Sequence, residues 1–550
     1  MLKRISIQNF KGIGPRVDID LRPVTLLFGP NSAGKSTILH AIHYAHALLE
    51  SGHPDVGRTR LGGAMDLGGF QQLIHDHDLN NEILLGFVLT PEPEGALGNA
   101  AEYLQHEFET VAVEFRIRWS TFLQHPIVDR CRIAFDDEHL AELGCGLDGA
   151  NVWLTDINLA NPVLGSELED DEPTVLSDRV SCLPGRRMAL PRIGKSLMLE
   201  GQRRQLKDRL DIRERSRSVS GSRSGGRTHS VSGSGTGDGS GYGDGYGSGW
   251  GDGSGPGFGR PVDPDDEFYA LLDDLVTSAV EALRDQLERF RYVGPVRQSP
   301  PRHYHAPKQN DESRWAHGLG AWDALVRDEE LRDQTSRWLA VRSRFDTGYR
   351  IQWRSYREVD DETFYRMQVA ARNFELDETF LALTSQLQHR GRLVVLDESK
   401  NLELAPCDLG EGIGQVVPVI TAALARTLMT PGGHEEKTEL VAIEQPELHI
   451  HPRMQVVLGD LFLSQCSERQ FLIETHSEHL MLRLLRRVRE TSEGELPADV
   501  PEASVDTVAV YYVEQDNGAV KLTELRISED GDFADPWPQG FFAERRRELF

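Results

Sequence analysis

Gly29-Pro30-Asn31-Ser32-Ala33-Gly34-Lys35-Ser36 follows the apolar run Val24-Thr25-Leu26-Leu27-Phe28 and precedes a stretch carrying Ile38, Ala41, Ile42, Ala45, Leu48 and Leu49 at helical spacing. A buried strand, a glycine-containing turn and a helix are therefore expected in that order, with Gly52 and Pro54 as stop signals. The turn has the pattern GxxxxGK[ST] in the strand-to-helix context that gives it chemical meaning. Its glycines let backbone N–H groups turn inward on a phosphate, Lys35 supplies a point charge, and the Ser36 hydroxyl suits Mg²⁺. Gly29, Pro30, Asn31, Ser32, Ala33, Gly34, Lys35, Ser36 and Thr37 are the candidate phosphate-contacting residues, with Ser36 also a metal candidate.

Such a loop needs an acid at the end of a neighbouring strand, and Leu440-Val441-Ala442-Ile443 followed by Glu444 supplies one. Glu444 is expected to hold the metal through water. Around it, a helix over 416–428, a strand over 440–443, a helix over 453–463, a strand over 471–473 and a helix over 478–488 give the βαβα rhythm of a parallel sheet. The α/β core is thus split, its halves at residues 1–120 and 401–490.

Between those halves the pattern is uneven. Strands are expected over 2–7, 17–21 and 109–119, then little structure through about residue 200, so that 121–212 is a poorly defined insertion. Residues 213–264 are dominated by Gly, Ser and Arg and cannot bury enough apolar area to offset chain entropy; they are expected to be disordered. The apolar stripe Phe268, Leu271, Leu272, Leu275, Val280, Leu283, Leu287 and Phe290 predicts a long helix over 266–290, with Asp285 and Arg289 placed as an i,i+4 pair. A second helical region over 322–344 precedes alternating stretches at 349–356 and 363–369, then strands at 393–396 and 402–404. Residues 265–400 therefore read as a helical lever with antiparallel strands, and 491–550 as a small C-terminal α+β segment.

Composition narrows the function classes. The 550 residues hold 60 Lys and Arg against 87 Asp and Glu, a net charge of −27 that argues against a generic polyanion-binding surface. The N-terminus alternates instead of showing a signal-peptide block, and no apolar run is long enough to span a bilayer, so a cytoplasmic protein without membrane contact is expected. Five scattered cysteines with no CxxC pair exclude a disulfide scaffold or a cysteine zinc site.

Gly-Pro-Asn-Ser-Ala-Gly-Lys-Ser together with Ile443-Glu444-Gln445-Pro446-Glu447-Leu448-His449-Ile450-His451-Pro452 and Glu474-Thr475-His476-Ser477 resembles the ABC-type ATPase heads of the RecF and SMC group. More narrowly the set is similar to stand-alone bacterial AAA ATPases related to the overcoming-lysogenization-defect proteins. Residues 292–297 (Tyr-Val-Gly-Pro-Val-Arg) and the tail from Asp532-Phe533 through Trp537-Pro538 to Leu549-Phe550 resemble a subgroup with a C-terminal domain of unknown function. The resemblance covers 1 to about 120 and 265–550. It implies a P-loop head split by a long insertion, ATP and Mg²⁺ as cofactors, and a homodimer closed around ATP, with the phosphate loop of one subunit facing a glycine-rich signature of the other. It implies action on DNA or on a separately encoded effector, in DNA maintenance or anti-phage defence.

By that resemblance Asp408-Leu409-Gly410-Glu411-Gly412-Ile413-Gly414-Gln415 is the signature, with Gly412, Gly414 and Gln415 facing nucleotide; Gly414 stands where a serine is usual. His476 takes the position of the switch histidine that senses the γ-phosphate. Gln71 or Gln72 takes that of the metal-linked glutamine. Gln445 occupies the place of the glutamate that polarises the attacking water, and Gln can orient a water but cannot accept its proton. Either Glu447 supplies the carboxylate, or hydrolysis is slow and the protein is a long-lived ATP-dependent clamp; slow turnover is expected, with a nucleotide-gated scaffold of negligible hydrolysis as the alternative. A transporter motor is disfavoured by the long insertion.

Three further signals carry less. Histidines at 40, 43 and 46, at 75 and 77, at 303 and 305, and at 449 and 451 lack a third ligand at fixed spacing and read as solvated or supporting residues. Residues 508–514 with Asp530-Gly531-Asp532 superficially resemble a Toprim nuclease, but too little chain separates them, and the acids read as turn and cap residues. The basic stretch 179–227, followed by Tyr242, Tyr246, Trp250 and Phe258 among glycines, reads as a tolerated flexible insertion, with a DNA-contacting arm as the alternative.

Overall fold

The computed structural model describes residues 1–57, 66–91, 97, 108–149, 151–158, 161–164, 175–176, 180–182, 188–191, 264–302, 304–308, 311–372, 385, 387, 389–429, 435–437, 440–516 and 518–537. The stretch 213–263 and most of the basic arm lie outside the described residues, as do His303 and the tail beyond Trp537.

The first half of the chain forms β1 (Leu2–Gln8), β2 (Val17–Asp20), β3 (Val24–Phe28), α1 (Lys35–Ser51), α2 (Phe70–Leu73), β4 (Glu82–Leu89), β5 (Val111–Ser120), β6 (His125–Phe135), β7 (Glu138–Cys145), β8 (Val152–Asn158), β9 (Val175–Leu176) and β10 (Val180–Cys182). All but β3 join one antiparallel sheet, ordered β10-β8-β7-β6-β5-β4-β1-β2, with β9 on β8. The expectation of little structure after residue 119 is corrected here. In β6, exposed Arg130 and Arg132 alternate with buried Cys131, Ile133 and Phe135, and Asp136 and Asp137, both at positive φ (47° and 64°), close a two-residue hairpin into β7. An Asp-Asp turn without glycine is a weak sequence signal for a hairpin that asparagine-glycine would have announced.

The second half supplies α3 (Pro264–Glu288), β11 (Phe290–Val293), α4 (Leu319–Arg327), α5 (Glu329–Ala340), β12 (Tyr349–Arg357), α6 (Asp361–Arg372), β13 (His389–Asp397), β14 (Leu402–Leu404), α7 (Glu411–Leu424), β15 (Thr427–Met429), β16 (Glu435–Lys437), β17 (Leu440–Glu444), α8 (Pro452–Leu463), β18 (Gln470–Thr475), α9 (Glu478–Ser492), β19 (Val508–Asp516) and β20 (Ala519–Glu524). Four boundaries differ from those read off the sequence. The long helix stops at Glu288 and Phe290 opens β11, while Arg284 pairs with Glu281, Asp285 and Glu288 along its last turns. The 322–344 region is two helices, parted at Asp328, whose carboxylate caps the second by accepting from Leu331 N at 3.0 Å. The alternating stretch 363–369 is helical, because Asp360 caps α6 through Thr363 N and Oγ1 at 2.7 and 2.9 Å. The helix begun at Glu411 ends at Leu424, and Thr427 starts a strand.

The sheet that matters for function runs β11-β17-β18-β3-β19-β20, parallel except for β20. β3, β17 and β18 are buried along their whole length, as apolar strands covered on both faces must be. Alternation divides them: Leu27, Ala442, Leu472 and Ala509 pack with α1, α3 and the antiparallel sheet, whereas Leu26, Val441, Ile443 and Ile473 pack with α4, α7, α8 and α9. β12-β13-β14 form a separate antiparallel sheet, and β15 pairs β16. An α/β fold with a helical and antiparallel insertion is therefore what the chain adopts. No helix among the described residues is long and apolar enough to cross a membrane.

Candidate nucleotide-binding site

The site is built where the parallel strands end, the place such sheets offer to ligands. β3 delivers the chain into Gly29, at φ 153°, where an added Cβ would lie 2.1 Å from the Val513 carbonyl of β19; glycine is required by that approach. Ser32 (φ 60°) and Gly34 (φ 98°) complete the turn, and Thr37 N donates to Gly34 O at 3.0 Å as α1 begins. Asn31 and Ser32 are exposed, Ala33 and Thr37 buried. Lys35 is 3% exposed, and its ammonium donates to the carbonyls of Gly29 (3.1 Å) and Pro30 (2.8 Å) across the mouth of the loop. Burial lowers its pKa, against the carboxylates of Glu474, Glu447 and Glu444, which raise it.

Glu444 and Glu474 end adjacent strands in paired register. Two residues beyond Ala442 and Leu472, their side chains share the face that packs on α1, which carries them to its first turn. The Ser36 hydroxyl lies 2.7 Å from Glu474 Oε2 and 3.4 Å from Glu444 Oε2, a contact bridging 408 residues of chain in the second case. Lys35 Nζ is 3.9 Å from Glu474 Oε1. The Tyr292 hydroxyl of β11 donates to Glu444 Oε1 at 2.7 Å. Burial and the charge of Glu474 push Glu444 up to about 7, and burial raises Glu474 as well.

The turn after β17 is held as closely. Gln445 adopts φ 44° while its N–H donates to Glu474 O at 2.7 Å. Glu447 accepts from Thr475 Oγ1 (2.8 Å) and His476 N (2.7 Å), so both of its oxygens tie this turn to the end of β18; burial raises its pKa. His476 is held neutral, its pKa lowered to about 4 by burial and by Lys35, and its Nε2 is a buried atom with no partner among the described residues. Arg297, 2% exposed, donates to the carbonyls of Glu444, Gln445 (3.0 Å) and Gln415 (3.4 Å).

Among the described residues no hydrogen bond joins the candidate signature to residues 29–37. Gly412 and Gly414 sit in the first turn of α7, capped by Gly410, and a Cβ on Gly412 would lie 2.6 Å from His449 O. The Gln415 amide is committed to the Arg297 backbone, donating to its carbonyl at 2.7 Å and accepting from its N–H at 3.2 Å. Gln71 and Gln72 are exposed on α2, and neither side chain contacts Ser36 or Glu444 among the described residues. His43 and His46 are buried in the core, His43 edge-on to Phe290 and Tyr292, so of the solvated or supporting roles read for that cluster these two are not solvated. Glu474, Tyr292 and Arg297 are the residues that sequence reasoning missed, although all three stood inside quoted motifs.

The donor set suits a hard divalent cation: two carboxylates and a hydroxyl, all oxygen, beside a loop shaped for phosphate. Mg²⁺ takes one or two carboxylates and completes its shell from phosphate and water, which Ser36, Glu444 and Glu474 would permit.

Sequence comparison agrees with this geometry. A family described as AAA domain matches residues 4–124, and one described as AAA ATPase domain matches 340–481. No curated protein matches the chain. Among solved structures, an SMC head bound to the C-winged helix domain of ScpA is 10% identical with a TM-score of 0.39, over 96% of this chain and 98% of that one. The SMC head domain from Thermotoga maritima is 9% identical with a TM-score of 0.34, over 96% and 99%. An Smc head domain with an extended coiled coil, bound to the C-terminal domain of ScpA derived from Pyrococcus furiosus, is 10% identical with a TM-score of 0.36, over 96% of each. The two matches fall on the segment that holds the phosphate loop and on the one that holds Glu444 and Glu474.

Proposed function

We propose that this protein is an ATP-binding switch of the ABC class that hydrolyses ATP slowly and dimerises around it. The observation that carries the reading is Ser36 of the phosphate loop facing Glu444 at the end of a neighbouring parallel strand. Mg²⁺, when bound with ATP, supplies charge neutralisation at the phosphates. Lys35 and the free backbone N–H groups of the phosphate loop bind and orient the phosphates; Ser36 and Glu444 position the cation. His476, neutral and at the switch position by resemblance, is engaged through its ring by the Gly29 backbone of the phosphate loop. Slow turnover is supported by two features: Gln445 cannot accept a proton, and the Glu447 carboxylate is already engaged by Thr475 and His476. Gly412 and Gly414 would present backbone N–H groups to the nucleotide of a second copy, and Arg297 ties that helix to the turn after Glu444, so closure at one is felt at the other. The dimer would act on DNA or on a separately encoded effector, in DNA maintenance or anti-phage defence, as relatives of the overcoming-lysogenization-defect group do by resemblance.

Phosphate release and particle mass, followed together with ATP and Mg²⁺, test the reading. The expected result is an ATP-dependent doubling of mass with turnover well under about 10 s⁻¹, a typical enzymatic rate. Fast turnover surviving Glu447→Gln would overturn slow hydrolysis; a mass unchanged by ATP would overturn the dimer. Doubling without any phosphate release would make the protein a nucleotide-gated scaffold.

A further inference from the structure

Gln445 leaves the usual second acid of such a site missing from β17, yet a second carboxylate is present. It comes from the neighbouring strand. Glu474 is buried to 4% exposure; one of its oxygens accepts from Ser36 Oγ at 2.7 Å and the other lies 3.9 Å from Lys35 Nζ. It thus stands between the two side chains that a P-loop devotes to metal and to phosphate. Glu444, at 6% exposure, reaches the same hydroxyl from the other side at 3.4 Å.

Two buried carboxylates meeting at one hydroxyl repel each other and are each desolvated. The cations around them do not balance that cost. Lys35 spends its hydrogen bonds on the Gly29 and Pro30 carbonyls, Arg297 donates to the backbone of Glu444 and Gln445, and Tyr292 offers Glu444 a neutral donor. A divalent cation at the Ser36 hydroxyl would relieve both carboxylates at once. Resting on the ATP-site reading above, we infer that Glu474 is a ligand of the site's divalent cation, which Ser36, Glu444 and Glu474 hold together through three oxygens from three segments of the chain.

The consequence is a cation site strong enough to fill without nucleotide, since two carboxylates replace the one that is common in phosphate-loop sites. Mn²⁺ titrated into the nucleotide-free full chain, with free ion counted by electron paramagnetic resonance, reads this directly. Wild type is expected to bind one Mn²⁺ per chain, and Glu474→Gln and Glu444→Gln each to weaken it about tenfold or more, the loss typical of disturbed metal shells. Equal Mn²⁺ affinity in wild type and Glu474→Gln, or no Mn²⁺ bound by wild type, overturns the assignment. A thermal melt reports whether each variant is folded. Should Glu474→Gln not be, Glu474→Asp, which withdraws the carboxylate by one methylene, replaces it and must also bind more weakly. A fluorescent ATP analogue added in EDTA separates the two readings: binding that Lys35→Ala abolishes supports the ATP site whatever Mn²⁺ does, and its absence in wild type removes that site even if Mn²⁺ binds.

Discussion

Lys35→Ala should weaken ATP binding by about 10–10²-fold, the equivalent of the about 1.5–3 kcal/mol that a hydrogen bond between charged groups contributes. The side chain is 3% exposed and surrounded by low-dielectric core, so its charge is felt with little screening. Three carboxylates, Glu444, Glu447 and Glu474, raise its pKa, and burial lowers it by more. Its ammonium already lies over the Gly29 and Pro30 carbonyls, at the mouth of the turn whose N–H groups would meet phosphate. Without it, the metal alone would stand between the triphosphate and two buried carboxylates. Calorimetric titration with ATP and Mg²⁺ measures the loss, and an affinity within threefold of wild type would show that phosphate does not reach this loop.

Arg297→Met should destabilise the fold by about 3–5 kcal/mol, among the largest single-residue effects in this chain. Two terms oppose each other. Burial holds the guanidinium pKa down to about 10, so removing the charge returns a desolvation cost. Against that, the carbonyls of Glu444, Gln445 and Gln415 lose their buried donor together, at about 1–3 kcal/mol for each group left unsatisfied, and the second term wins. Methionine keeps an unbranched apolar stem in the space, so the change reads hydrogen bonding more than volume. Urea unfolding gives the number, and a change under about 1 kcal/mol would mean that these carbonyls find other donors. If the variant folds, ATP-dependent dimerisation should weaken more than ATP binding, because Arg297 joins α7 to the Glu444 turn and touches neither Lys35 nor Ser36.

Much of this site was legible in the sequence because its parts are local. A phosphate loop is a run of eight residues between a strand and a helix, and β17 and β18 announce themselves as short apolar blocks ending in acids. What escaped was whatever depends on two distant segments meeting. Glu474 lay within the motif that drew attention to His476, and its approach to Ser36 follows only from the register of β18 between β17 and β3. Arg297 follows a Gly-Pro turn and gives no periodic signal; its meaning is three carbonyls contributed by residues 118 to 148 positions away. The antiparallel sheet escaped for another reason, since β6 and β7 are joined by Asp136-Asp137 and β6 carries arginines on its exposed positions, which mutes the apolar content of the window. Helix α6 shows the reverse error: period-2 apolar spacing suggested a strand, and the Asp360 cap decided for a helix.

The central claim is that one nucleotide site is assembled from both ends of the chain. Amide hydrogen exchange on the wild-type protein, with and without ATP and Mg²⁺, tests it most directly. Simultaneous protection of residues 29–37, 440–447 and 470–477 is the predicted result. Protection confined to residues 29–37, or none at all, would contradict it.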